Sequence, residues 1–450
     1  MNLLEWERGT LVLRECSDPP PGFVYDDRVK LWRGPASLYY DTVLHWHRAG
    51  IAFTDRARGW EPLARQHRTD KSPRSYQAEA HSAWREAGRR GVVSLPTGSG
   101  KSFVAELCIA ETQRPTLVIA PTIDLVNQWA ANLETAFGSP IGVLGGGLHT
   151  VEAITVSTYD SAFLHADRYG DRFGLVIFDE VHHLPSDAHG QIAEMLMAPF
   201  RLGLSATVER TDGQHERLDD LVGPLCYHKG IRELSGDVLA SYDVRRIEVH
   251  LNAEEAEAYH AARKTYRDFI ASRGIRMGGR SGWQNFLREA ARSTAGRAAL
   301  RAHRESRAIA HGTSAKLDAL EQILEEHAGQ RIIVFTHDNA TVYRISRSFL
   351  VPCITHRTGA EERRGILERF SDGRYTCVAT SRVLNEGVDI PAARVGVVLS
   401  GTSTVREHVQ RLGRLLRPQK DKRALLYEVV SANTAEVSAA ERRRKHEAYR

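Results

Sequence analysis

The sequence predicts an α/β protein in which two doubly wound parallel-sheet domains follow a small N-terminal α+β module and flank a helical insert. Two observations lead to this class. Short apolar runs rich in β-branched residues alternate with helical stretches from about 75 to 244, and the alternation returns from 316 onwards. Such runs, about four to six residues long between helices, are typical of strands buried in a parallel sheet. The length of 450 residues also exceeds that of one compact domain.

Two further segments have different patterns. Residues 1–70 combine short strand-like runs with an aromatic stretch, and apolar periodicity stops in the polar residues 65–73. Residues from about 251 to 312 lack a strand-like run and are rich in Ala, Glu and Arg, so we interpret them as helices broken at Gly278 and Gly279. The predicted domains are the N-terminal module at 1–70, the first α/β domain at 71–245, the basic helical insert at 246–315 and the second α/β domain at 316–450.

Positive charge is concentrated in the predicted insert. The whole chain has a net charge of only +5, whereas residues 261–310 contain 12 Lys or Arg against 3 Asp or Glu. A basic block is the electrostatic footprint of a phosphate-binding surface, although a solvated helix face has the same composition. The aromatic residues Tyr266, Trp283 and Phe286 also allow two interpretations, stacking on bases or packing between helices.

The composition excludes several classes of protein. No apolar run in the sequence approaches the roughly 18–20 residues that span a bilayer, and residues 1–7 lack the pattern of a signal peptide. The five cysteines are scattered without a C-x-x-C pair, which argues against a disulfide framework and against a zinc or iron–sulfur site. We therefore expect a cytoplasmic protein with no membrane partner.

The strongest local signal is a phosphate loop at 95–102, of sequence LPTGSGKS, between a strand and a helix. Glycines let successive backbone N–H groups turn inward around a polyphosphate, and the new helix directs its N-terminus at the same anion. Lys101 is expected to reach the β- and γ-phosphates, and the hydroxyl of Ser102 to bind Mg²⁺. The predicted nucleotide-binding residues of the loop are Thr97, Gly98, Ser99, Gly100, Lys101 and Ser102.

A pair of carboxylates follows a second buried strand. Asp179 and Glu180 come directly after the four apolar residues 175–178. Two acids in this position are costly to bury unless a metal or a reaction uses them. We expect Asp179 to hold Mg²⁺, directly or through water, and Glu180 to orient and deprotonate the attacking water.

Three polar residues near this pair are candidates for relaying the state of the nucleotide to the rest of the protein. His182 follows the carboxylates and is expected to sense the γ-phosphate. Ser205 and Thr207 end the next predicted strand, where their hydroxyls are expected to form hydrogen bonds with the carboxylate loop. The sequence thus predicts a connected polar group around the hydrolysis site.

Two arginines near the end of the chain complete the predicted catalytic set. Arg414 and Arg417 are three residues apart and therefore share one face of a helix. Their planar, permanently charged groups suit the charge on a transferring phosphoryl group. Because they belong to the second α/β domain and Lys101 to the first, the nucleotide is expected in the cleft between the domains, which hydrolysis would open and close.

A protein that opens and closes such a cleft and carries a basic insert fits a motor that moves on nucleic acid. Its contacts with the nucleic acid are expected to go to phosphates. They would carry little sequence preference and would depend strongly on salt. Thr122, Thr158 and Thr380, with nearby backbone N–H groups, are candidates for holding the phosphates of one strand. Arginines of the insert are candidates for holding the duplex beside it.

With these residues in place, the chain resembles superfamily 2 helicases, with the major motifs in order over most of its length. The matching segments are 76–77, 95–102, 120–129, 157–160, 179–182, 205–207, 333–336, 379–391 and 410–417. Within the superfamily the chain is most similar to the XPB branch, because its box reads Asp-Glu-Val-His-His and its basic insert sits where that family has a thumb. Residues 8–13 and 23–26 also resemble the small N-terminal damage-recognition domain.

The resemblance implies two RecA-like domains and hydrolysis of ATP with Mg²⁺, coupled to 3′-to-5′ unwinding of DNA or translocation on it. The resemblance implies that the protein moves on single-stranded and forked or duplex DNA and that it acts in DNA repair. It also implies a nuclease as the protein partner and a monomeric motor. The resemblance further assigns adenine contact to Gln77, nucleotide contact to Gly387 and Asp389, and coupling to Gln410.

One element departs from the XPB pattern. The family carries an Arg-Glu-Asp element after the motif at 205–207, and the resemblance assigns DNA contact to the matching residues Arg210 and Asp212. Here Thr211 stands in the middle position. This change leaves open whether the element opens duplex DNA.

Three functional hypotheses follow from the sequence. The first is a DNA helicase of the XPB type, and the second is a double-stranded DNA translocase that never separates strands and drives a nuclease partner. The third is a nucleic-acid-binding scaffold with an inactive ATP site, against which the intact Lys101, Asp179 and Glu180 argue. RNA as the track is also compatible with the motifs.

Overall fold

A computed structural model of the chain describes residues 2–207, 213–234, 241–277, 282–381, 393–400 and 423–444. The chain divides into two compact units, one formed by residues 1–96 with 100–229 and the other by 97–99 with 230–450. Several residues singled out from the sequence lie outside the described ranges. They are Arg210, Thr211, Asp212, Gly278, Gly279, Gly387, Asp389, Gln410, Arg414 and Arg417.

The first unit begins with a five-stranded sheet and one helix. The strand order is β3-β4-β2-β1-β5, antiparallel except for the β1–β5 pair. The core of this module includes Leu4, Leu11 and Trp46, and Met197 from the following α/β domain packs into the same core. The module therefore packs directly on that domain. Its elements are β1 (Asn2–Glu7), β2 (Thr10–Arg14), β3 (Val24–Asp26), β4 (Leu31–Pro35), α1 (Tyr39–Ala49) and β5 (Phe53–Asp55).

The rest of the first unit is an eight-stranded sheet in which all neighbouring strands are parallel except β8 and β9. The order is β13-β6-β12-β11-β7-β10-β8-β9. Its strands are β6 (Arg90–Ser94), β7 (Thr116–Ala120), β8 (Gly142–Gly145), β9 (Leu148–His149), β10 (Ile154–Thr158), β11 (Leu175–Asp179), β12 (Phe200–Ser205) and β13 (Leu225–His228). The helices are α2 (Ser75–Glu86), α3 (Lys101–Thr112), α4 (Ile123–Phe137), α5 (Tyr159–Tyr169), α6 (Asp187–Met195) and α7 (Leu218–Leu221).

The second unit contains a six-stranded sheet, parallel throughout, in the order β14-β19-β18-β15-β17-β16. Its strands are β14 (Ser241–Val249), β15 (Ile332–Phe335), β16 (Cys353–Ile354), β17 (Cys377–Thr380), β18 (Val395–Val398) and β19 (Arg423–Ser431). Its helices are α8 (Ile231–Leu234), α9 (Ala253–Ser272), α10 (Gly282–Ala291), α11 (Thr294–Gly312), α12 (Ser314–Glu326), α13 (Asn339–Phe349), α14 (Ala360–Ser371) and α15 (Ala435–Arg444).

The predicted fold class is confirmed. Strands β6, β7, β10, β11 and β12 alternate with helices inside the stretch from about 75 to 244 where the sequence predicts this alternation. All five residues of β11 are buried, which explains why its sequence is continuously apolar up to Asp179. Among the described residues, every helix is too short or too polar to span a bilayer.

The insert consists of α9, α10 and α11 packed around an aromatic cluster. Helix α9 begins with a capping box, in which Asn252 Oδ1 accepts the Glu255 N–H at 2.8 Å and the Glu255 carboxylate accepts the Asn252 N–H at 3.1 Å. Phe286 is fully buried and Tyr266 is 7% exposed, so both pack between helices and are not available to stack on bases. Trp283 is 41% exposed and remains accessible.

Buried polar contacts fix α11, the last helix of the insert, and the following α12 in the second unit. The ammonium of Lys316, 2% exposed, donates to the Glu436 carboxylate at 2.7 Å and to the Leu399 carbonyl at 2.6 Å. The Ser431 hydroxyl donates to the Ala310 carbonyl of α11 at 2.6 Å. The Ser431 bond holds α11 against β19. The Lys316–Glu436 pair holds α12 against α15, and such a buried charge pair with additional hydrogen bonds is costly to break on one side only.

Arg201 forms a different buried connection, inside the first sheet. Its guanidinium is fully buried and donates only to main-chain carbonyls, those of Ala198, Leu221, Ala193 and Leu196. Burial lowers the pKa of Arg201 to about 9, so the group remains charged at neutral pH. The four carbonyls come from α6, from α7 and from the turn before β12, which this one side chain therefore links.

Replacing this side chain should destabilise the first unit. Arg201→Met removes the donors and leaves buried carbonyls without partners, so the free energy of unfolding should fall by about 3–5 kcal/mol. Urea denaturation measures this value. Arg172→Met, which removes an exposed guanidinium from the same domain, is the control and should change stability by about 0.5 kcal/mol or less. Equal losses in the two variants would contradict the role given to Arg201.

Candidate active site

Three neighbouring strands bring the predicted hydrolysis residues to one edge of the first sheet. Strand β12 lies between β6, which leads into the phosphate loop, and β11, which ends in the carboxylate pair. The register pairs Ser205 with Ser94 and Leu204 with Asp179. The carboxyl ends of the three strands are therefore level, at the edge where open α/β sheets bind ligands.

The phosphate loop has the backbone conformation that its glycines allow. Gly98 and Gly100 have φ angles of 84° and 83°, a region that other residues rarely adopt. Helix α3 begins directly after Gly100, with Lys101 as its first residue. The Lys101 ammonium donates to the Leu95 carbonyl at 3.1 Å, which holds the lysine side chain across the loop.

Gln77, assigned to the adenine from the resemblance, lies against the phosphate loop. Its side chain is 6% exposed, donates to the Gly100 carbonyl at 3.3 Å and accepts the Arg74 N–H at 3.0 Å. A Cβ atom on Gly100 would lie 2.6 Å from Gln77 Nε2. The φ angle therefore favours glycine at 100, and a Cβ there would also force the end of the flexible Gln77 side chain to shift.

The carboxylate pair combines burial with an unusual backbone. Asp179 is 7% exposed, and burial raises the pKa of this carboxyl, while the Trp129 N–H and the nearby Lys101 charge act in the opposite direction. Glu180 has φ 47° and ψ 54°, the left-handed region, although it carries a Cβ. A non-glycine residue in this region costs about 1–3 kcal/mol and is enriched at functional sites.

The predicted relay residues lie next to the carboxylates. His182 is fully buried, and its Nδ1 lies 3.2 Å from Ser205 Oγ and 3.5 Å from Glu180 Oε2. The Ser205 hydroxyl in turn donates to the Thr207 carbonyl at 2.7 Å. The structure thus brings Glu180, His182, Ser205 and Thr207 together in one polar group at the ends of β11 and β12.

The donor set fits a metal–nucleotide ligand. Within the part of the chain that the structure describes, Thr97 Oγ1, Glu180 Oε2 and Thr207 Oγ1 are buried and have no hydrogen-bond partner. Buried polar atoms normally have a partner, and a nucleotide with its metal ion bound at this edge would supply one. Ser102, in the first turn of α3, and Asp179, at the end of β11, offer the oxygen atoms that Mg²⁺ prefers.

Two of the three threonines predicted to hold phosphates begin helices. Thr122 caps α4, with its hydroxyl accepting the Leu125 N–H at 3.3 Å, and Thr158 caps α5 by accepting the Ser161 N–H at 3.1 Å. Their strands β7 and β10 are paired, so the two helix N-termini are neighbours. Thr380 ends β17 in the second unit, where it is fully buried.

Two residues at this edge were not identified as functional from the sequence. Trp129, in α4, donates its indole N–H to Asp179 Oδ2 at 2.8 Å. Tyr159, the first residue of α5, donates its hydroxyl to the Asp179 carbonyl at 3.0 Å. These contacts join residues 50 and 20 positions apart, so no local spacing marks them. Each does lie in a segment that matches a helicase motif.

Comparison with known proteins identifies the family. Residues 70–210 match the type III restriction enzyme res subunit, 315–419 the helicase conserved C-terminal domain, and 4–57 the damage recognition domain of xeroderma pigmentosum group B helicase. The chain is 40% identical to a DNA 3′-5′ translocase XPB2 of Sulfurisphaera tokodaii, over 94% of this chain and 96% of the other. The chain belongs to the XPB family.

More distant relatives agree with this assignment. A DNA 3′-5′ helicase XPB of Kineococcus radiotolerans is 27% identical over 83% of this XPB-family chain, which spans 62% of the length of that relative. The helicase domain of Hef from Pyrococcus furiosus has a TM-score of 0.53 at 18% identity, covering 82% of this chain and 98% of the other. Dbp5 of Saccharomyces cerevisiae has a TM-score of 0.57 at 14% identity, covering 84% and 88%. The two structures show that the fold is that of helicase RecA-like domains.

Glu180→Gln tests the base predicted for this XPB-family site. The amide keeps the size of the side chain but cannot accept a proton, so the turnover number for ATP should fall about 100-fold or more. Binding of a fluorescent ATP analogue should stay within about twofold, because binding uses the loop instead. Steady-state ATPase and fluorescence titration give the two values. The exposed Glu134→Gln on α4 is the control and should keep normal turnover; normal turnover in Glu180→Gln would exclude this residue as the base.

Lys101→Ala should weaken binding of the nucleotide in addition to stopping turnover. The ammonium is expected to contact the β- and γ-phosphates, so its loss should weaken binding of the ATP analogue about tenfold or more as well as abolish turnover. The same titration measures this change, with Lys71→Ala, an exposed lysine outside the loop, as the control. Unchanged affinity in Lys101→Ala would remove this residue from the phosphate site.

Proposed function

We propose that this XPB-family protein is a DNA-dependent ATPase that moves 3′ to 5′ along DNA and unwinds it. The observation that carries the proposal is the edge of the first sheet, where Lys101, Asp179 and Glu180 lie beside the N-termini of α4 and α5. A site for hydrolysing a nucleotide and a site suited to a phosphate chain thus share one set of strands. This arrangement is what coupling of ATP hydrolysis to movement on DNA requires.

The geometry supports the roles that we propose for the described residues of the ATP site. The N–H groups of the loop and the start of α3 surround the phosphates, with Lys101 adding positive charge. Mg²⁺ is the ion that Ser102 and Asp179 suit, and when bound it offsets the charge of the phosphates. Glu180 takes the proton of the attacking water. Arg414 and Arg417, outside the described residues, remain the predicted donors to the transferring phosphoryl group.

The DNA track is proposed from two features. The neighbouring N-termini of α4 and α5 offer N–H groups and positive dipole ends to successive phosphates, with Thr122 and Thr158 at their tips. Thr380 remains a candidate from the second unit, and Arg210 and Asp212 remain candidates after the first sheet. The insert adds a strongly basic segment for the adjacent duplex. Contacts of this kind favour no sequence, as a motor requires.

Translocation on duplex DNA without strand separation is the second candidate function. Thr211 interrupts the family's Arg-Glu-Asp element, which is the sequence feature that favours it. A relative 40% identical to this chain is also named a translocase. In this case the protein would work as a monomeric motor for a nuclease partner in DNA repair, without separating the strands.

The choice of track is tested by ATPase rates with single-stranded DNA, duplex DNA and RNA, each at two salt concentrations. DNA should stimulate hydrolysis more than RNA, and its apparent affinity should fall by roughly 10³-fold or more between 50 and 200 mM salt if six or more phosphates are contacted. Glu180→Gln, which should bind DNA normally, serves as the control for binding without turnover. Stimulation by RNA alone would exclude a DNA motor, and undetectable ATPase with all three would favour the scaffold hypothesis.

Unwinding is separated from translocation by two substrates. A duplex with a 3′ single-stranded tail reports strand displacement, and a triplex on a blunt duplex reports translocation. The helicase proposal predicts ATP-dependent displacement on the first substrate, with Glu180→Gln inactive on both. Removal of the third strand without opening of the tailed duplex would select the translocase instead.

A further inference from the structure

Asp179 is held from two sides by the two helices proposed to contact DNA. Its carboxylate accepts the indole N–H of Trp129 at 2.8 Å, and its main-chain carbonyl accepts the Tyr159 hydroxyl at 3.0 Å. Trp129 and Tyr159 are each 3% exposed. Since a buried carboxylate depends on its few donors for position and charge, Trp129 helps to determine where the ligand oxygens of Asp179 lie, while Tyr159 holds the main chain that carries them.

Each donor belongs to a helix whose N-terminus is at the proposed phosphate track. Trp129 is the seventh residue of α4, which begins after Thr122, so it lies about 9 Å along the axis from the helix start. Tyr159 directly follows the cap Thr158 of α5. A helix moves as a rigid body over such distances, so a shift of either N-terminus carries the donor with it.

The second oxygen of the Asp179 carboxylate accepts a hydrogen bond from the next residue in the chain. Asp179 Oδ1 accepts the N–H of Glu180 at 3.0 Å, and Glu180 is the residue with the left-handed backbone. Any rotation of the Asp179 side chain therefore acts on the backbone that orients Glu180. The ligand for Mg²⁺ and the base for water are connected in this way to α4 and α5.

We propose that Trp129 and Tyr159 are positioning residues that couple DNA binding at the N-termini of α4 and α5 to the metal ligand Asp179 and, through it, to Glu180. The inference rests on the proposed function and specifies how the two sites communicate. Phosphates bound at Thr122 and Thr158 set the position of Asp179 for Mg²⁺ and the nucleotide. By thermodynamic linkage, Mg²⁺ and nucleotide bound at Asp179 change the affinity for DNA by the same factor.

The proposal predicts that Trp129→Phe uncouples the two sites without destroying either. Phenylalanine keeps an aromatic ring in the core but has no N–H, so Asp179 Oδ2 loses its donor. The measured quantity is the coupling ratio, the Kd for a fluorescent oligothymidine without nucleotide divided by its Kd with a non-hydrolysable ATP analogue and Mg²⁺. We expect the coupling ratio of the variant to differ from that of the wild type by about fivefold or more, in the direction of one. The Kd for DNA without nucleotide should stay within about twofold of the wild-type value.

The chain offers a matched control for each substitution. Trp84 is fully buried in the same unit and donates its N–H to the Arg201 carbonyl at 2.9 Å, so Trp84→Phe removes an equivalent bond away from Asp179. For Tyr159→Phe the control is Tyr169→Phe on the same helix, where the hydroxyl lies 2.9 Å from His149 Nε2. Both controls should keep the wild-type coupling ratio.

A measurement on the ATP side separates positioning from general damage. Affinity for the ATP analogue in EDTA should be equal in wild type and Trp129→Phe, whereas the gain in affinity on adding Mg²⁺ should be smaller in the variant. Tyr159→Phe should change both readouts in the same direction, by about twofold to fivefold, since its bond is to a main-chain carbonyl.

The outcomes distinguish this inference from the proposed function. A wild-type chain that binds DNA with a nucleotide-dependent Kd, together with an unchanged ratio in Trp129→Phe, would overturn the inference and leave the motor proposal intact. An equal loss of coupling in Trp84→Phe would likewise overturn it, because the effect would then be one of stability. A wild-type chain without DNA binding would overturn the proposed function first and the inference with it.

Discussion

The site depends on one constraint, the placement of a carboxylate at the end of a strand that is buried on both faces. Asp179 ends a strand whose five residues are all buried, and burial raises the pKa of this carboxyl. The neighbours oppose this shift, since the indole N–H of Trp129 and the charge of Lys101 both favour the charged carboxylate, the form that would bind Mg²⁺. The positions of α4 and of the phosphate loop are therefore conditions for the chemistry as well as features of the fold.

A second group of polar residues at the same edge connects the carboxylate pair to the end of β12. Ser205 ends the strand between the phosphate loop and the carboxylates, and its hydroxyl lies between His182 and Thr207. These two short polar contacts give the predicted relay residues a path by which a change at the nucleotide would reach the end of β12. The left-handed backbone of Glu180 lies at the start of this path, where strain is available to be released.

The sequence allowed the fold and most of the ATP site to be predicted, because their signals are local. Apolar runs between helices predict buried parallel strands, and the loop at 95–102 needs only its own glycines and the helix that follows. The contacts of Trp129 and Tyr159 with Asp179 were not predictable in this way, because they depend on how α4 and α5 pack against β11. The aromatic residues of the insert show the same limit, since only packing decides that Phe286 is buried and Trp283 is accessible.

The shared core of the N-terminal module has a consequence for the transmission of force. Met197 completes the core of the module, and the side chain of Met195 lies so close to Gly9 that a Cβ there would be 2.9 Å from it. Met195 is the last residue of α6, which follows the carboxylate box, and Met197 lies in the short segment that joins α6 to β12, which ends at Ser205. The module thus packs against the segment that connects α6 to the strand ending at Ser205, so a force applied to the module would act on that segment. The N-terminal module and the first α/β domain are therefore joined through a shared core and should respond to force together.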